Sequence, residues 1–388
     1  MHCNKCRSLN FFLCKNLSSQ LFFFCHYSTS SQKLIKEVDD GFTLCNVDPV
    51  KHSLKHVSQI YSIPKSIATD ALSTAIPKRF GEVSRTIDDY GMLLRKPSLQ
   101  IIDNLNRNKN DVKKYLLYGH DGNGKAMSLL HIIHYCLQND WIIVHVPNGF
   151  RFIDGQTKTI VQPSTWNNTR YDQPIEAANW LNSFSKINYK FLHDLKTTQT
   201  YKWGKRETTE EGKSLYDVVS QAAGRNIYAT DAVGVLLKEI QNQNKVHVLY
   251  AVNGLNAFFG KTSHKYNGKL VEVENLGLVN HFVKLLKDKN KLKKGTYVTS
   301  ITQTSQFSQK RVDPQNLPML LGEKGFDFVQ DFEKLEIDNY NDEEYEIMMN
   351  YYRYKHWLTR DLSVKLREEV KFMSQMNPNL VAKICAAL

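Results

Sequence analysis

Two hydrophobic periods alternate along this 388-residue chain. Short apolar runs at 115–118, 141–146, 246–252 and 296–301 lack amphipathic spacing and read as buried strands. Between them apolar residues recur at helical spacing and predict helices over 125–137, 229–241 and 276–287; the first has Leu129, Leu130, Ile133 and Leu137 on its inner side. This alternation predicts an α/β domain, a parallel sheet with helices on both faces. Met92 to Leu105 also has helical spacing, with Pro97 near its start, and is expected to be a helix leading into that domain. Beyond Asn341 no strand pattern appears, and 343–357, 364–376 and 379–387 predict a bundle of three helices. The expected plan is a leader at 1–36, an extended arm at 37–90, the α/β domain at 91–330 with an insertion at 148–209 outside the sheet, and a helical domain at 331–388.

The leader changes the picture first. Residues 1–36 hold no Asp or Glu, yet carry Lys5, Arg7, Lys15, Lys33 and Lys36 among Ser, Phe and Leu, which is the makeup of a mitochondrial transit peptide. A secretory signal needs an unbroken apolar core, whereas Lys15, Asn16, Ser18, Ser19 and Gln20 interrupt Phe11 to Phe24. Cleavage is expected near Tyr27 and Ser28, leaving Cys45, Cys136 and Cys385 and no disulfide framework. Cys3 and Cys6 have metal-finger spacing, but their would-be partners are irregular and no metal site is expected. No apolar stretch approaches the ~20 residues of a membrane span. Of the +12 net charge, the leader's five cations supply +5, so the remainder is basic enough to suit a polyanionic partner.

Chemistry concentrates at 119–125, Gly-His-Asp-Gly-Asn-Gly-Lys, between a predicted strand and a predicted helix. The spacing is that of a phosphate-binding P-loop. Glycines let the backbone wrap phosphate oxygens, the helix start adds its positive dipole end, and Lys125 supplies mobile charge. The candidate nucleotide-binding residues are therefore Gly119, His120, Asp121, Gly122, Asn123, Gly124, Lys125, Ala126 and Met127. Two positions depart from a hydrolytic site. Ala126 stands where a Ser or Thr hydroxyl would hold magnesium, and Asn253, ending the strand 246–252, stands where an Asp would hold the metal's water shell. No glutamate follows Asn253 to act as base. Such a site is expected to hold nucleotide with weak or water-mediated magnesium and at most very slow turnover.

Beyond the loop, Tyr115-Leu-Leu-Tyr-Gly119, Ser128-Leu-Leu-His-Ile-Ile-His134 and Asp140-Trp-Ile-Ile-Val-His-Val-Pro147 resemble the death-associated protein 3 family, the GTP-binding proteins of the mitochondrial small ribosomal subunit. Later blocks agree in order, among them Arg170-Tyr-Asp-Gln-Pro-Ile-Glu-Ala177, Ala251-Val-Asn-Gly-Leu-Asn-Ala257 and Leu321-Gly-Glu-Lys-Gly-Phe-Asp327. The resemblance runs from about Arg95 to the C-terminus. It implies an ATPase-like P-loop fold of the additional-strand type, bound GTP or GDP, rRNA and ribosomal-protein partners, no homo-oligomer, and a matrix location. The family pattern has Thr at the position of Ala126 and Asp at that of Asn253, so phosphate cradling carries over and metal chemistry does not. Rival readings are a slow GTPase switch in ribosome assembly and a signalling adaptor linked to apoptosis.

Two basic stretches remain. Lys284, Lys287, Lys289, Lys291, Lys293 and Lys294 form a run that could meet RNA phosphates, or simply a solvated loop. Lys202, Lys205 and Arg206 alternate with Tyr201 and Trp203, a mixture that stacks bases and meets phosphates, or anchors the insertion by its aromatics. His131 and His134, one turn apart, are expected to be packed rather than to bind metal, and the aromatics of 351–357 to be the buried side of the last helices.

Overall fold

Five strands, the largely apolar β1 (Lys114–Tyr118), β2 (Ile142–Val146) and β3 (Val248–Asn253), the fully buried β4 (Gly295–Ser300) and the partly exposed β5 (Glu333–Glu336), form one sheet in the order β5-β1-β4-β3-β2. Every neighbouring pair is parallel. The computed structural model describes residues 37–38, 41–108, 111–155, 160–287, 292–304, 313 and 315–388, so the leader and the lysines Lys289 and Lys291 lie outside it. The strand carrying the glycine loop, β1, is separated from β3 by β4, which is the additional-strand arrangement of P-loop proteins.

Alternation along the strands divides the core in two. Leu116, Tyr250 and Val252 face one side, and Tyr115, Leu117, Leu249 and Ala251 the other. The helices α1 (Lys78–Thr86) and α2 (Lys96–Arg107) precede β1, and α3 (Lys125–Gln138) follows it; residues of α2 and α3 bury the second side. The helices α4 (Pro174–Asp194), α5 (Leu215–Gly224), α6 (Ala229–Asn242) and α7 (Gly277–Leu286) bury the first. Two tyrosines inside this core satisfy their hydroxyls on helix-end carbonyls: Tyr250 donates to Phe282 O at 2.9 Å and Tyr297 to Leu285 O at 3.1 Å. Helix α8 (Leu317–Phe328) is interrupted at Gly322, and α9 (Asp342–Tyr354), α10 (Val364–Ser374) and α11 (Pro378–Cys385) make a third cluster with Phe42, Ile60 and Leu93.

The strands and helices expected between 115 and 301, and the three terminal helices, form within a few residues of their expected ends. Differences have local causes. The segment expected to be helical from Met92 begins as a strand, Gly91–Leu93, paired antiparallel with Ile60–Ser62, and its helix starts only at Lys96 with Pro97 in the first turn. Met92, Leu93 and Leu94 are all buried, so they offer no polar face to mark the change. Strand β5, inside the stretch expected to be helical, is a charged edge strand whose Glu and Lys hide its pattern. Among the described residues of 148–209 no strand joins the sheet, but α4 packs Trp180, Leu181 and Phe184 into the core. Its Asn188 amide meets the outer edge of β2: Oδ1 accepts from Ile143 N at 2.7 Å and Nδ2 donates to Ile143 O at 2.9 Å. A side chain thus substitutes for a sixth strand at the sheet edge. Residues 41–90 hold short helical turns and α1, packed against α2 and α3.

Candidate functional site

The loop between β1 and α3 keeps three glycines in the left-handed region: Gly119 (φ 127°), Gly122 (φ 90°) and Gly124 (φ 97°). Space also requires glycine at two of them. A Cβ on Gly119 would sit 2.4 Å from Ile337 O, and one on Gly122 would sit 2.5 Å from Asn377 Oδ1. Helix α3 starts at Lys125, which directs its positive end at the loop.

Lys125 is only 4% exposed. Its Nζ donates to Gly119 O at 2.6 Å and His120 O at 2.7 Å, with Asp121 Oδ1 at 3.8 Å. Burial pushes its ammonium down to about 8, against the opposing attraction of Asp121.

The C-terminal elements hold this loop from outside. Arg95 Nη1 donates to Asn123 O at 2.9 Å and Asp338 O at 3.0 Å, while its Nε and Nη2 make a two-pronged pair with Glu344 at 2.9 and 2.8 Å. Asn377, capping α11, donates to Asp121 O at 3.0 Å and to Asn123 Oδ1 at 2.8 Å, and Asn379 N donates to Gly122 O at 3.1 Å. Asn123 in turn donates to Ile337 O at 2.8 Å. Neither Arg95 nor Asn377 was foreseen, because nothing local in the sequence marks a partner so distant along the chain.

A cavity of about 280 Å³ opens from the loop, between α1, the strand Gly91–Leu93 and helices α9 and α11. Phe80, Val83, Met92, Tyr340 and Met348 give it apolar walls, and Asp121 to Met127 with Asn253 form its loop side. Gly119 and His120 do not line it; they serve through their carbonyls on Lys125, and the His120 side chain is exposed. The Ser84 hydroxyl, also at this cavity, is buried without a hydrogen-bond partner. Ala126 presents only a methyl group. Asn253 is committed to joining strand ends, accepting from Ser300 Oγ at 2.7 Å and donating to Pro147 O at 3.1 Å. Being neutral, it attracts a metal's waters less than a carboxylate would.

The other candidates separate. Tyr201 and Trp203 are buried anchors, donating to Glu239 at 2.6 Å and Thr209 at 2.8 Å, with Lys202, Lys205 and Arg206 on their hairpin. Lys284 and Lys287 lie at the end of α7, and Lys293 and Lys294 precede β4. His131 is fully buried, hydrogen-bonded to His52 and to Ser98, each at 2.9 Å, and His134 is buried beside the Tyr61 ring. Among the described residues no cluster of ligating side chains suits a metal, and no helix is long and apolar enough to cross a membrane. Tyr351 and Tyr352 are buried as expected, while Tyr354 is exposed.

The family described as mitochondrial ribosomal death-associated protein 3 matches residues 92–384. The small ribosomal subunit protein mS29 of Mus musculus is 37% identical over 351 residues, 88% of each chain, and that of Bos taurus is 36% identical over 88% of this chain and 87% of its own. A chain of the solved E. coli HORMA:CdnC:Trip13 complex matches at 10% identity with a TM-score of 0.29, covering 86% of this chain and 95% of that one, too loosely to argue from. With this much of its length shared, and the glycine loop 119–125 inside the shared part, the chain belongs to the mitochondrial ribosomal death-associated protein 3 family.

Proposed function

We propose that this chain is a structural component of the mitochondrial small ribosomal subunit that holds a purine nucleotide, GTP or GDP, in its P-loop. The observation that carries the nucleotide half is the loop itself, with three left-handed glycines and a buried lysine opening onto a cavity with apolar walls. Residues 122–125 would cradle the phosphates and Lys125 would exchange its carbonyl partners for phosphate oxygens. The apolar walls offer a place for the purine and ribose, and Ser84 an unused hydroxyl.

The same site is poorly equipped for hydrolysis. Ala126 offers no hydroxyl, and Asn253, a neutral amide already hydrogen-bonded to Ser300 and Pro147, is a poorer metal partner than a carboxylate. Binding therefore serves stability: a ligand at 1,000 times its dissociation constant adds about 4 kcal/mol to the folded state. Because the loop is hydrogen-bonded to α11 and to the segment before α9, that stabilisation would reach the C-terminal helices. The test is titration of the purified chain with a fluorescent GDP analogue, with and without magnesium. Saturable binding that needs little magnesium and is lost in Lys125→Ala is expected; equal binding by that variant would refute the assignment.

A further inference from the structure

Among the described residues, Gln375 and Met376 are the one adjacent pair of non-glycine residues that both take left-handed backbone, at φ 49° and 58°. Single Asn, Asp or Gly residues adopt this conformation cheaply at turns, but a Gln followed by a Met bears the steric cost twice. Such a pair persists only where neighbours hold it. Here Gln375 O accepts from Asn339 Nδ2 and Met376 O accepts from Tyr340 N, each at 2.9 Å. Both anchors lie between β5 and α9. Arg95, whose Nη1 donates to Asn123 O in the glycine loop, also donates through Nη2 to Asn339 O at 3.1 Å.

The strained pair connects α10 to α11, and the residues it delivers lie against the glycine loop. Asn377 and Asn379 hold Asp121 O, Asn123 Oδ1 and Gly122 O, while Pro378, Asn379 and Ala382 line the cavity that opens from the loop. Residues 375–379 are therefore a strap, fastened to the loop at one end and under backbone strain at the other. Beyond it α11 is fixed by fully buried Val381 and Cys385, whereas the Gln375 side chain is exposed. Peeling the strap back at 375–376 relieves the strain and leaves that packing in place.

We propose that residues 375–379 form a strained gate over the glycine loop: nucleotide enters and leaves while the strap is peeled back, and the left-handed pair sets how often that happens. The inference rests on nucleotide binding at the loop and adds how its exchange is controlled. A gate that closes alike over an empty and a filled loop slows entry and release by the same factor and leaves affinity unchanged. A strap that only touched the nucleotide would change affinity instead.

The experiment is stopped-flow mixing of the full chain with a fluorescent GDP analogue for the entry rate, and a chase with unlabelled GDP for the release rate. Gln375→Gly removes the left-handed cost at an exposed position, holds the strap closed, and should slow both rates about fivefold with affinity unchanged. Gln375→Val puts a β-branched residue where left-handed backbone suits it least and should quicken both by a similar factor. If the valine variant does not fold, the glycine variant decides alone. The gate is refuted if Gln375→Gly exchanges nucleotide at the natural rates, or if it changes release without entry. A natural chain that binds no analogue, or a Lys125→Ala variant that binds it equally well, removes the nucleotide reading and the gate with it. Binding that is lost in Lys125→Ala, together with natural exchange rates in Gln375→Gly, removes the gate alone.

Discussion

Lys125 is charged in a place where burial opposes charge, and this gives the site a pH signature. Its ammonium lies near 8 in the loop rather than at the ordinary lysine value of 10.5. Phosphate beside it would raise that value again, so binding takes up a proton once the pH exceeds about 8. Affinity for GDP should be flat from pH 6.5 to 7.5 and then fall, by up to tenfold per unit above 8, in the fluorescent-analogue titration. A flat profile to pH 9.5 would mean that Lys125 does not meet the phosphates. At this scale the sequence was informative where chemistry is local: the spacing of Gly119, Gly124 and Lys125 marks the loop. It was silent on Arg95 and Asn377, whose roles exist only because folding brings distant segments onto loop carbonyls.

Among the elements, α11 has the closest hold on the loop. Asn377 caps it, accepting from Leu380 N at 3.2 Å, and the same side chain reaches Asp121 O and Asn123 Oδ1. Asn377→Ala removes the cap and leaves buried loop groups short of partners, at a cost of about 2 kcal/mol. Gly122→Ala should cost at least as much, since it strains a left-handed residue and drives a methyl group into Asn377. Denaturant unfolding measures both, and both variants should also bind GDP more weakly; full stability would show that α11 is not coupled to the loop. Elements with a one-sided or continuous apolar pattern, such as α3 and β3, were legible in the sequence. Strand β5 was not, because an edge strand of Glu-Lys-Leu-Glu has no buried pattern to read. Nor was the role of Asn188, which depends on meeting a strand edge through space.

Across the whole molecule, residues 41–108 are sealed to the α/β core through neutral histidines. His52 hydrogen-bonds to His131, and His134 packs nearby against Tyr61. Burial lowers all three, His52 and His134 to about 4. The unfolded chain takes up these protons below about 6.5 while the folded one cannot, so their contribution is complete above pH 6.5 and is lost as the pH falls towards 4. Melting temperature should therefore be steady from pH 8 to 7 and drop markedly by pH 5, and His52→Gln should reduce the drop. An unchanged melting temperature at pH 5 would contradict the buried neutral network. Fold class and family were readable from alternation and from blocks spread along the chain, whereas the joining of the C-terminal helices to the loop had no sequence signal. We propose that the glycine loop of this family member holds a nucleotide as part of its structure. Its most direct test is to isolate mitochondrial small subunits carrying the natural chain or Lys125→Ala, denature them, and identify the released nucleotide by mass spectrometry. About one guanine nucleotide per natural chain, absent from the variant, is expected; no nucleotide in either, or the same amount in both, would contradict a structural nucleotide.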